Sequence, residues 1–434
     1  MTQPFSRSGN LFKQVKLALI YKGIALCISV LFVRITFRYL GIERYGVWAT
    51  LTSVIGWIGF FDFGLGSGLQ NRITESLAVD DKKLANVFIS TAYAIVAIAV
   101  AFLIIIVWCV SPFIKWQRVF NTAIIGQQEL LFAFAATATF YLINFIVSFA
   151  NRIARALQLS SIESLSTNAS SVLTSTIIML LALLTKGSLS LMAISFAGTF
   201  IAGLGATILV FRKRLYLIPS LKNIDFSVSR RIFGLGIKFF VLNISWLIVF
   251  TTQRIVIAQV AGPKEVSEYT IVYKLFNLII IIFGIMITPT WAAYSDAYAK
   301  NDFKWIRKTL HRFKLLMIPI IIITLILVVT VRPVIHIWIG NELKVKMLLV
   351  SMIAIFTVIS VWNDIWAHFV NGINLINLQM VLAVSTALIN IPLAVYLAKY
   401  LHLGSAGVIL STVLCLIPSS ILIPLQARGA LKEK

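Results

Sequence analysis

The chain has 434 residues, of which 59% are hydrophobic and 12% are charged, and its formal net charge is +23. Soluble proteins carry charge on about a quarter of their residues. This composition therefore excludes a soluble globular domain, a disordered chain, a collagen and a disulfide-stapled secreted module. The class that remains is an integral membrane protein.

The apolar residues form long continuous runs, as at 95–110, 275–289 and 315–331. The strands of a membrane barrel would instead alternate polar and apolar residues over short segments. A spanning helix needs about 20 mostly apolar residues, so these runs predict helices. The predicted spans are twelve: 17–40, 45–71, 86–109, 128–150, 163–184, 188–211, 235–258, 267–291, 314–331, 347–370, 378–398 and 405–427.

Motifs for catalysis or metal binding are missing from the sequence. The three cysteines form no CxxC motif and no Cys/His cluster, so no disulfide framework or zinc site is expected. The four histidines do not cluster, and no GxSxG, P-loop or HExxH motif is present. The first apolar run lacks a small-residue cleavage site and is expected to be a span. We therefore expect a protein that is not an enzyme and has no catalytic residues, metal or cofactor.

Lysine and arginine are distributed unevenly between the two sets of predicted loops. With the N-terminus in the cytoplasm, the inner segments carry 23 of them and the outer segments carry 10. Cytoplasmic loops are enriched in these residues, so both termini are predicted to be cytoplasmic. Because the charges are spread over many loops, they indicate attraction to anionic membrane lipid and no nucleic acid partner.

The chain shows signs of an internal duplication. Segments 41–83 and 262–304 align without a gap at a separation of 221 positions. The matched pairs are Gly41 and Gly262, Gly68 and Pro289, Glu75 and Asp296, Asp81 and Asp302, and Lys83 and Lys304. Parallel repeats of this kind are typical of transporters. We predict an N-terminal six-helix bundle at 1–211, a basic cytoplasmic linker at 212–233 and a C-terminal six-helix bundle at 234–434.

Seven charged residues lie at least three positions inside the ends of predicted spans: Lys22, Arg34, Asp62, Lys238, Arg254, Lys274 and Asp364. Such residues are costly in a bilayer and usually face a bundle interior or an aqueous cavity. Five cations against two acids favour an anionic substrate. We predict that Lys22, Arg34, Arg254 and Lys274 bind the substrate, and that Asp62 and Asp364 act as gates or proton carriers. An internal ion pair between Asp62 and Lys274 is the structural alternative.

Polar side chains recur at spacings of three and four along three spans, which places them on one helical face. The stripes are Tyr141, Asn144 and Ser148 in span four, Ser164, Thr167, Ser171 and Thr174 in span five, and Thr357, Ser360, Asp364, His368 and Asn371 in span ten. They predict a hydrated lumen for sugar hydroxyls. The alternative, hydrogen bonding between helices, is favoured for span five. His368 is a candidate proton partner of Asp364.

One segment of span two resembles a known family. It reads Tyr45-Gly46-Val47-Trp48, and continues from Asp62-Phe63-Gly64-Leu65-Gly66 to Glu75. Residues 269–274 and 361–364 carry further matches. The pattern is similar to the bacterial O-antigen flippases of the Wzx type, in the polysaccharide transporter branch of the multidrug/oligosaccharidyl-lipid/polysaccharide exporter superfamily.

The resemblance implies an all-α, MATE-like fold, with two six-helix bundles around a central cationic cavity. It also implies a function: flipping an oligosaccharide on undecaprenyl pyrophosphate from the cytoplasmic to the periplasmic leaflet of the bacterial inner membrane. Contact with the polysaccharide polymerase and the chain-length machinery would follow. The positions that match the family are Asp62, Lys274 and Asp364. Many relatives carry an acid where this chain has Gln253, which argues against a coupling ion there.

Two other functions remain open from the sequence. A multidrug or other small-molecule antiporter would share the same fold, but the excess of cations in the spans disfavours cationic drugs. A polytopic membrane enzyme of polysaccharide assembly would need a large outer loop or an acidic motif that binds metal and sugar nucleotide. The longest predicted outer loop, near 110–127, is short for that purpose.

The charge distribution yields a topology that can be measured. Reporter fusions after Arg214 and Lys314 should read as cytoplasmic, and fusions near Gly262 and Gly340 should read as external, because basic loops stay on the cytoplasmic side. A reporter at the C-terminus should also be cytoplasmic, and a periplasmic reading there would refute the twelve-span arrangement.

Overall fold

A computed structural model describes residues 7–58, 65–157, 159–212, 214–229, 237–288, 290–373 and 375–432. Asp62 lies outside these residues. Over the described part the chain is helical, with no strand. The helices are α1 (Arg7–Gly56), α2 (Leu65–Ala78), α3 (Lys82–Val110), α4 (Trp116–Phe120), α5 (Gln127–Ala156), α6 (Ser160–Leu184), α7 (Leu189–Phe211), α8 (Ile237–Ala261), α9 (Pro263–Ile287), α10 (Thr290–Ala299), α11 (Phe303–Trp338), α12 (Met347–Gly372), α13 (Asn377–Tyr400) and α14 (Gly404–Lys432).

The prediction of an all-helical membrane protein is confirmed. Nine helices of the described part are long and apolar enough to cross a bilayer. Gly41 has φ 73° and breaks α1 into two consecutive helices, 7–40 and 42–56. Together with α2, the second of these forms the second predicted span, and α8 corresponds to the seventh. The described helices therefore follow the twelve predicted spans in order.

Successive long helices run in opposite directions, so the connections between them lie at two opposite ends of the molecule. One end holds the start of α1, the turns at 79–81 and 300–302, and the segment 214–229, and we call it the basic end. The other end holds Gly41 and Gly262 together with the connections at 111–126, 185–188, 339–346 and 401–403, and we call it the Gly41 end.

The backbone supports the duplication that the sequence suggests. Gly41 adopts φ 73° and ψ 171°, and Gly262 adopts φ 86° and ψ 168°. A residue with a side chain rarely adopts such values, so each half needs glycine where its second span begins. The same sharp turn is therefore built twice, 221 positions apart.

The turns at the basic end repeat as well. Asp81 accepts a hydrogen bond from the backbone N–H of Leu84, and Asp302 accepts one from that of Trp305, so each caps the helix that follows. The residues just before these caps, Asp80 and Asn301, share left-handed φ values of 55° and 57°. Matching turns in the same order indicate two halves with parallel orientation, as predicted.

The segment between the halves is anchored to the first half. The Asn86 side chain on α3 donates to the carbonyls of Tyr216 and Ile218, at 2.7 and 2.9 Å. Ser90 and Thr91, further along α3, accept from the backbone N–H groups of Ser220 and Asp225. The 214–229 segment therefore lies against α3 at the basic end, while the domain boundaries at 211 and 234 stay predictions.

The buried apolar side chains form three clusters that follow the two halves. One cluster lies within the first half around Phe88 and Phe149, and another lies within the second half around Trp366 and Phe369. The third joins both halves and includes Phe37 from α1 and Phe276 from α9. The core therefore connects the halves toward the Gly41 end.

The two halves approach most closely near the Gly41 end. A Cβ atom placed on Gly46 of α1 would lie 1.8 Å from the Pro263 carbonyl oxygen at the start of α9, so only glycine fits there. The Ser267 hydroxyl donates to the Ile42 carbonyl, and the Asn121 amide donates to the Ala258 carbonyl at 3.0 Å. This end is closed by backbone contact and hydrogen bonds.

The Gly46 contact predicts a specific packing defect. The substitution Gly46→Ala should lower the stability of this conformation by about 1–3 kcal/mol, because the added methyl group must push α1 and α9 apart. The measurement is the thermal unfolding temperature of the purified protein in detergent. Gly56→Ala on the same helix is the matched control, since a Cβ there has nothing within 4 Å. Equal unfolding temperatures for the two variants would contradict the close approach.

Candidate functional site

A cavity of about 420 Å³ lies between the two halves, toward the Gly41 end. Its walls come from α1, α6 and α7 of the first half and from α8 and α9 of the second. Two cations, Arg254 and Lys274, line it, and we call it the cationic cavity. Its hydroxyl-bearing lining residues, besides Tyr45, are Thr36, Thr52, Ser170, Ser171, Thr174, Ser175, Thr199 and Thr270.

Arg254 connects the halves and still has hydrogen-bonding capacity. It is half-buried on α8, and its Nη1 donates to the Ser53 hydroxyl on α1 at 2.8 Å. Its Nε atom is buried and has no partner among the described residues. The guanidinium is therefore held in place by one contact and keeps donors for a ligand.

Lys274 lies on α9 and is also half-buried. Within the described part of the chain, its ammonium makes no hydrogen bond or ion pair, and no aspartate or glutamate lines the cavity. A charge removed from water is costly unless it is paired. The two cations and the hydroxyl groups around them therefore give this cavity the chemical character that suits an anion with several oxygen atoms.

The polar stripe of the fifth predicted span has two roles. The Ser170 hydroxyl donates to Thr199 of α7 at 2.9 Å, and Thr174 lies 3.4 Å from the same oxygen. These contacts fit the predicted hydrogen bonding between helices. Ser171 and Thr174 also line the cationic cavity, so the stripe contributes to the lumen as well.

A second cavity, of about 650 Å³, lies within the second half and nearer the basic end. It contains four amide side chains, Asn277, Asn363, Asn371 and Gln379, and we call it the amide cavity. Its aromatic lining residues are Phe250, Tyr273, Trp291 and Phe356, and Ser360 and Asp364 also line it. The cavity therefore combines flat apolar faces with hydrogen-bonding groups.

Several polar atoms of the amide cavity lack protein partners. Both side-chain polar atoms of Asn363, Oδ1 of Asn371, Oε1 of Gln379 and the Ser360 hydroxyl are buried without a hydrogen bond among the described residues. Buried polar groups in folded proteins are nearly always paired. These atoms are therefore available to bind water or a polar ligand.

The two cavities are adjacent along α8 and α9. Tyr273 lines the amide cavity and its neighbour Lys274 lines the cationic cavity. The Tyr273 ring packs against Tyr269 and Phe356, with centroid distances of 5.6 and 6.0 Å. An aromatic group therefore lies between a cationic compartment near the Gly41 end and an amide-rich compartment, lined also by Asp364, nearer the basic end.

Asp364 and His368 are close, but their side chains do not bond to each other. Asp364 lines the amide cavity, and Nδ1 of His368 lies 2.9 Å from the Asp364 backbone oxygen. The His368 ring packs edge-on against Trp291 at 6.2 Å. The proton partnership of these two residues stays a prediction.

Gln253 is buried, and its amide is fully used by neutral partners. Its Oε1 accepts from the Tyr269 hydroxyl, and its Nε2 donates to Thr412 at 2.8 Å. The Asn390 amide also donates to Thr412, at 3.1 Å. This network ties α8 to α9, α13 and α14, which gives Gln253 a structural role and fits the expectation that this position does not titrate.

The other predicted cations and acids are placed as follows. Arg34 is half-buried on α1 but is not one of the residues that line the cationic cavity, unlike its neighbours Val33 and Thr36. The side chain of Lys22 and the whole of Asp62 lie outside the described part of the structure. Their predicted roles stay predictions.

The remaining polar residues of the predicted lumen have mixed positions. Thr357 is buried and donates to the Ile353 carbonyl of its own helix at 2.8 Å. Tyr141, Asn144 and Ser148 lie half-buried on α5 and line neither cavity. Ser360 and Asn371, in contrast, line the amide cavity. The lumen role of all these residues stays a prediction.

Three amide residues of the site were not predicted from the sequence. Asn277 lies one helical turn after Lys274, Asn363 directly precedes Asp364, and Gln379 belongs to α13. The spacing from Lys274 could have indicated Asn277. Gln379 and the aromatic residues give no sequence signal, since apolar helices contain such residues wherever they pack.

The fold is that of the MATE transporters. The structure superposes on an inward-facing multidrug resistance MATE family transporter of the MOP superfamily with a TM-score of 0.80 and 17% identity, over 94% of this chain and 96% of that chain. An outward-facing structure of a multidrug resistance MATE family transporter of the same superfamily gives a TM-score of 0.66 at 17% identity, over 96% and 95%.

The chain belongs to the polysaccharide biosynthesis protein family, whose model matches residues 11–295. The MatE model matches residues 239–396. A similar protein is a candidate O-antigen transporter of Salmonella typhimurium, 24% identical over 86% of each chain. The predicted fold class and family resemblance are confirmed.

The Lys274 ammonium has no partner among the described residues, and this predicts a stability cost that a ligand should relieve. Lys274→Met should raise the thermal unfolding temperature in detergent, because it removes an uncompensated charge and keeps a similar side-chain volume. Inorganic pyrophosphate should stabilise the native chain and have less effect on this variant, since binding to the folded state raises stability.

Lys346 provides the matched control for this substitution. It lies just before α12 and bonds to Glu265, and this hydrogen bond raises the pKa of the Lys346 ammonium. Lys346→Met should therefore give no gain in unfolding temperature. If Lys274→Met and Lys346→Met lower the unfolding temperature by the same amount, the Lys274 ammonium is not an uncompensated charge in the folded protein.

Proposed function

We propose that this protein translocates a lipid-linked oligosaccharide across the cytoplasmic membrane, with undecaprenyl pyrophosphate as the lipid carrier. The observation that supports this most directly is the cationic cavity, where Arg254 and Lys274 face hydroxyl groups and no carboxylate among the described lining residues. A diphosphate cannot cross hydrocarbon without replacement for its lost hydration. These two cations supply that replacement.

The two cations have complementary properties for binding a diphosphate. The planar guanidinium of Arg254 can donate two parallel hydrogen bonds to phosphate oxygens, whereas the ammonium of Lys274 acts as a compact charge on a flexible stem. Hydroxyl groups from α1 and α6 can bind the remaining oxygens. Since these groups come from both halves, the bound diphosphate would itself link the two bundles.

The amide cavity suits the sugars of the same substrate. Aromatic faces such as Trp291 and Tyr273 can pack against the apolar face of a sugar ring, and the unpaired amides of Asn363, Asn371 and Gln379 can bond to its hydroxyls. The two adjacent cavities thus match a molecule with an anionic end and an uncharged polar end. The lipid tail would remain in the bilayer between the bundles.

The transport cycle would alternate which end is closed. The contacts of Gly46 with Pro263 and of Ser267 with Ile42 close the Gly41 end in this structure. The higher TM-score to the inward-facing relative supports an inward-facing state. Rocking of the two parallel halves would break these contacts and close the basic end instead.

The two acids of the spans would bias this rocking. An isolated carboxylate in a bundle must find a cation or be protonated, and either state can change when the halves move. We assign this role to Asp364, which lines the amide cavity, and to Asp62 by the motif it belongs to. With the basic end in the cytoplasm, flipping would deliver the substrate to the periplasmic leaflet for the polymerase.

A multidrug antiporter is the second candidate, because the solved relatives named above are multidrug transporters. A cationic drug in the cationic cavity would lie beside the positive charges of Arg254 and Lys274. These charges would repel the drug, because a cavity screens charge less than bulk water does. The same cavity therefore favours an anionic lipid-linked substrate over a cationic drug.

Loss of either cation should impair polysaccharide export. Arg254→Gln and Lys274→Gln should each lower the rate by about tenfold to a hundredfold, because a charge-assisted hydrogen bond to phosphate is worth about 1.5–3 kcal/mol. The measurement is surface polysaccharide in cells whose own transporter gene is deleted, with membrane protein level followed by immunoblot.

Two further variants serve as controls. Lys274→Arg retains the charge and should preserve most of the export. Arg38→Gln removes an exposed arginine of α1 that does not line the cavity, and it should be neutral. Normal surface polysaccharide in both Arg254→Gln and Lys274→Gln would overturn the proposed site.

A further inference from the structure

A third cavity lies at the basic end of the second half, apart from the two cavities of the proposed transport path. It has a volume of about 330 Å³ and is formed by α11, α12 and α14. Its lining consists of three cations, Arg307, Lys314 and Arg428, and three apolar residues, Leu310, Trp366 and Leu431. No carboxylate is part of this lining among the described residues.

The three cations are fixed near one another by the helices that carry them. Arg307 and Lys314 lie two turns apart on α11, and Nη2 of Arg307 donates to the Leu431 carbonyl on α14 at 2.7 Å. The Lys314 ammonium lies 6.0 Å from the centre of the Trp366 ring. The arrangement concentrates positive charge in a concave site between the first part of α11 and the last part of α14.

Trp366 gives an independent indication of a ligand. It is 2% exposed, and its indole Nε1 is buried without a hydrogen-bond partner in the described part of the chain. The indole N–H can only donate, and a buried donor without an acceptor is rare. An acceptor oxygen in the cavity would satisfy it.

The surface next to the cavity, toward the membrane centre, is apolar and exposed. Leu315 and Ile318 follow Lys314 on α11, and Leu425 and Leu422 precede Arg428 on α14. Each is between 40% and 57% exposed. A cationic mouth followed by apolar side chains on two helices that both pack against α12 matches the layout of a phospholipid, whose phosphate continues into acyl chains.

We propose that this cavity binds the phosphodiester of an anionic membrane phospholipid, with the acyl chains against the exposed leucine and isoleucine side chains. Basic cavities between spanning helices on the cytoplasmic side are suited to such headgroups. A zwitterionic headgroup would bring an ammonium that meets three cations and no carboxylate. The anionic headgroup is therefore favoured, and the site does not depend on the proposed transport function.

Lipid binding can be measured on the purified full-length protein by native mass spectrometry, with phosphatidylglycerol or phosphatidylcholine added in detergent. We expect phosphatidylglycerol to bind about tenfold more tightly, since the cations of the cavity attract its net negative charge and phosphatidylcholine has none. The double variant Lys314→Gln with Arg428→Gln should lose this preference.

The control removes the same charge from the same end of the molecule. Lys308 and Arg312 are exposed on α11 and do not line the cavity, so Lys308→Gln with Arg312→Gln should keep the preference. An equal loss in both double variants would mean general surface attraction and would overturn the site.

Two further outcomes would also overturn the proposal. Equal binding of the two lipids by the native protein would exclude an anionic headgroup site. If inorganic phosphate or pyrophosphate at millimolar concentration displaces phosphatidylglycerol completely, the cavity is a site for a free anion and not for a lipid.

Trp366→Phe, which removes the indole N–H and retains an aromatic ring, should weaken phosphatidylglycerol binding severalfold.

Discussion

The close approach of α1 and α9 at the Gly41 end determines how the two halves are arranged. Gly46 has no space for a side chain beside the Pro263 carbonyl, and Gly41 and Gly262 provide the same backbone turn in the two repeats. Because the helices meet there, Arg254 of one half can donate to Ser53 of the other. The cationic cavity is the space that this contact leaves beneath the closed end.

The empty cationic cavity has an energetic cost, and this cost indicates which kind of ligand the cavity favours. Two cations without a carboxylate among the described lining residues raise the free energy of the empty cavity, and an anion lowers it by more than it would in a neutral cavity. The amide cavity applies the same principle to uncharged groups, since buried amide atoms of Asn363, Asn371 and Gln379 have no hydrogen-bond partner among the described residues. A substrate with a diphosphate and sugars would satisfy both sets of groups.

Positive charge is also concentrated at another cavity of this molecule. In the second half three cations and the indole of Trp366 form a defined cavity. Exposed leucine and isoleucine side chains lie next to it on α11 and α14. If the proposed lipid site exists, some of the positive charge predicted to orient the protein in the membrane also binds a particular class of lipid, separately from the cationic cavity.

The sequence by itself determined the membrane class, the all-helical fold and the family, and it predicted twelve spans and a duplication, because these depend on local hydrophobicity, turn residues and short motifs. It also indicated Arg254, Lys274 and Asp364 as candidate site residues, because a charged residue within an apolar span can be recognised from the sequence alone. Tertiary structure decided which polar faces meet a cavity: Tyr141, Asn144 and Ser148 line neither, whereas Asn277, Asn363 and Gln379 line the amide cavity. Helical periodicity fixes which residues share a face, but the rotation of each helix is set by packing against its neighbours, which are distant in the chain.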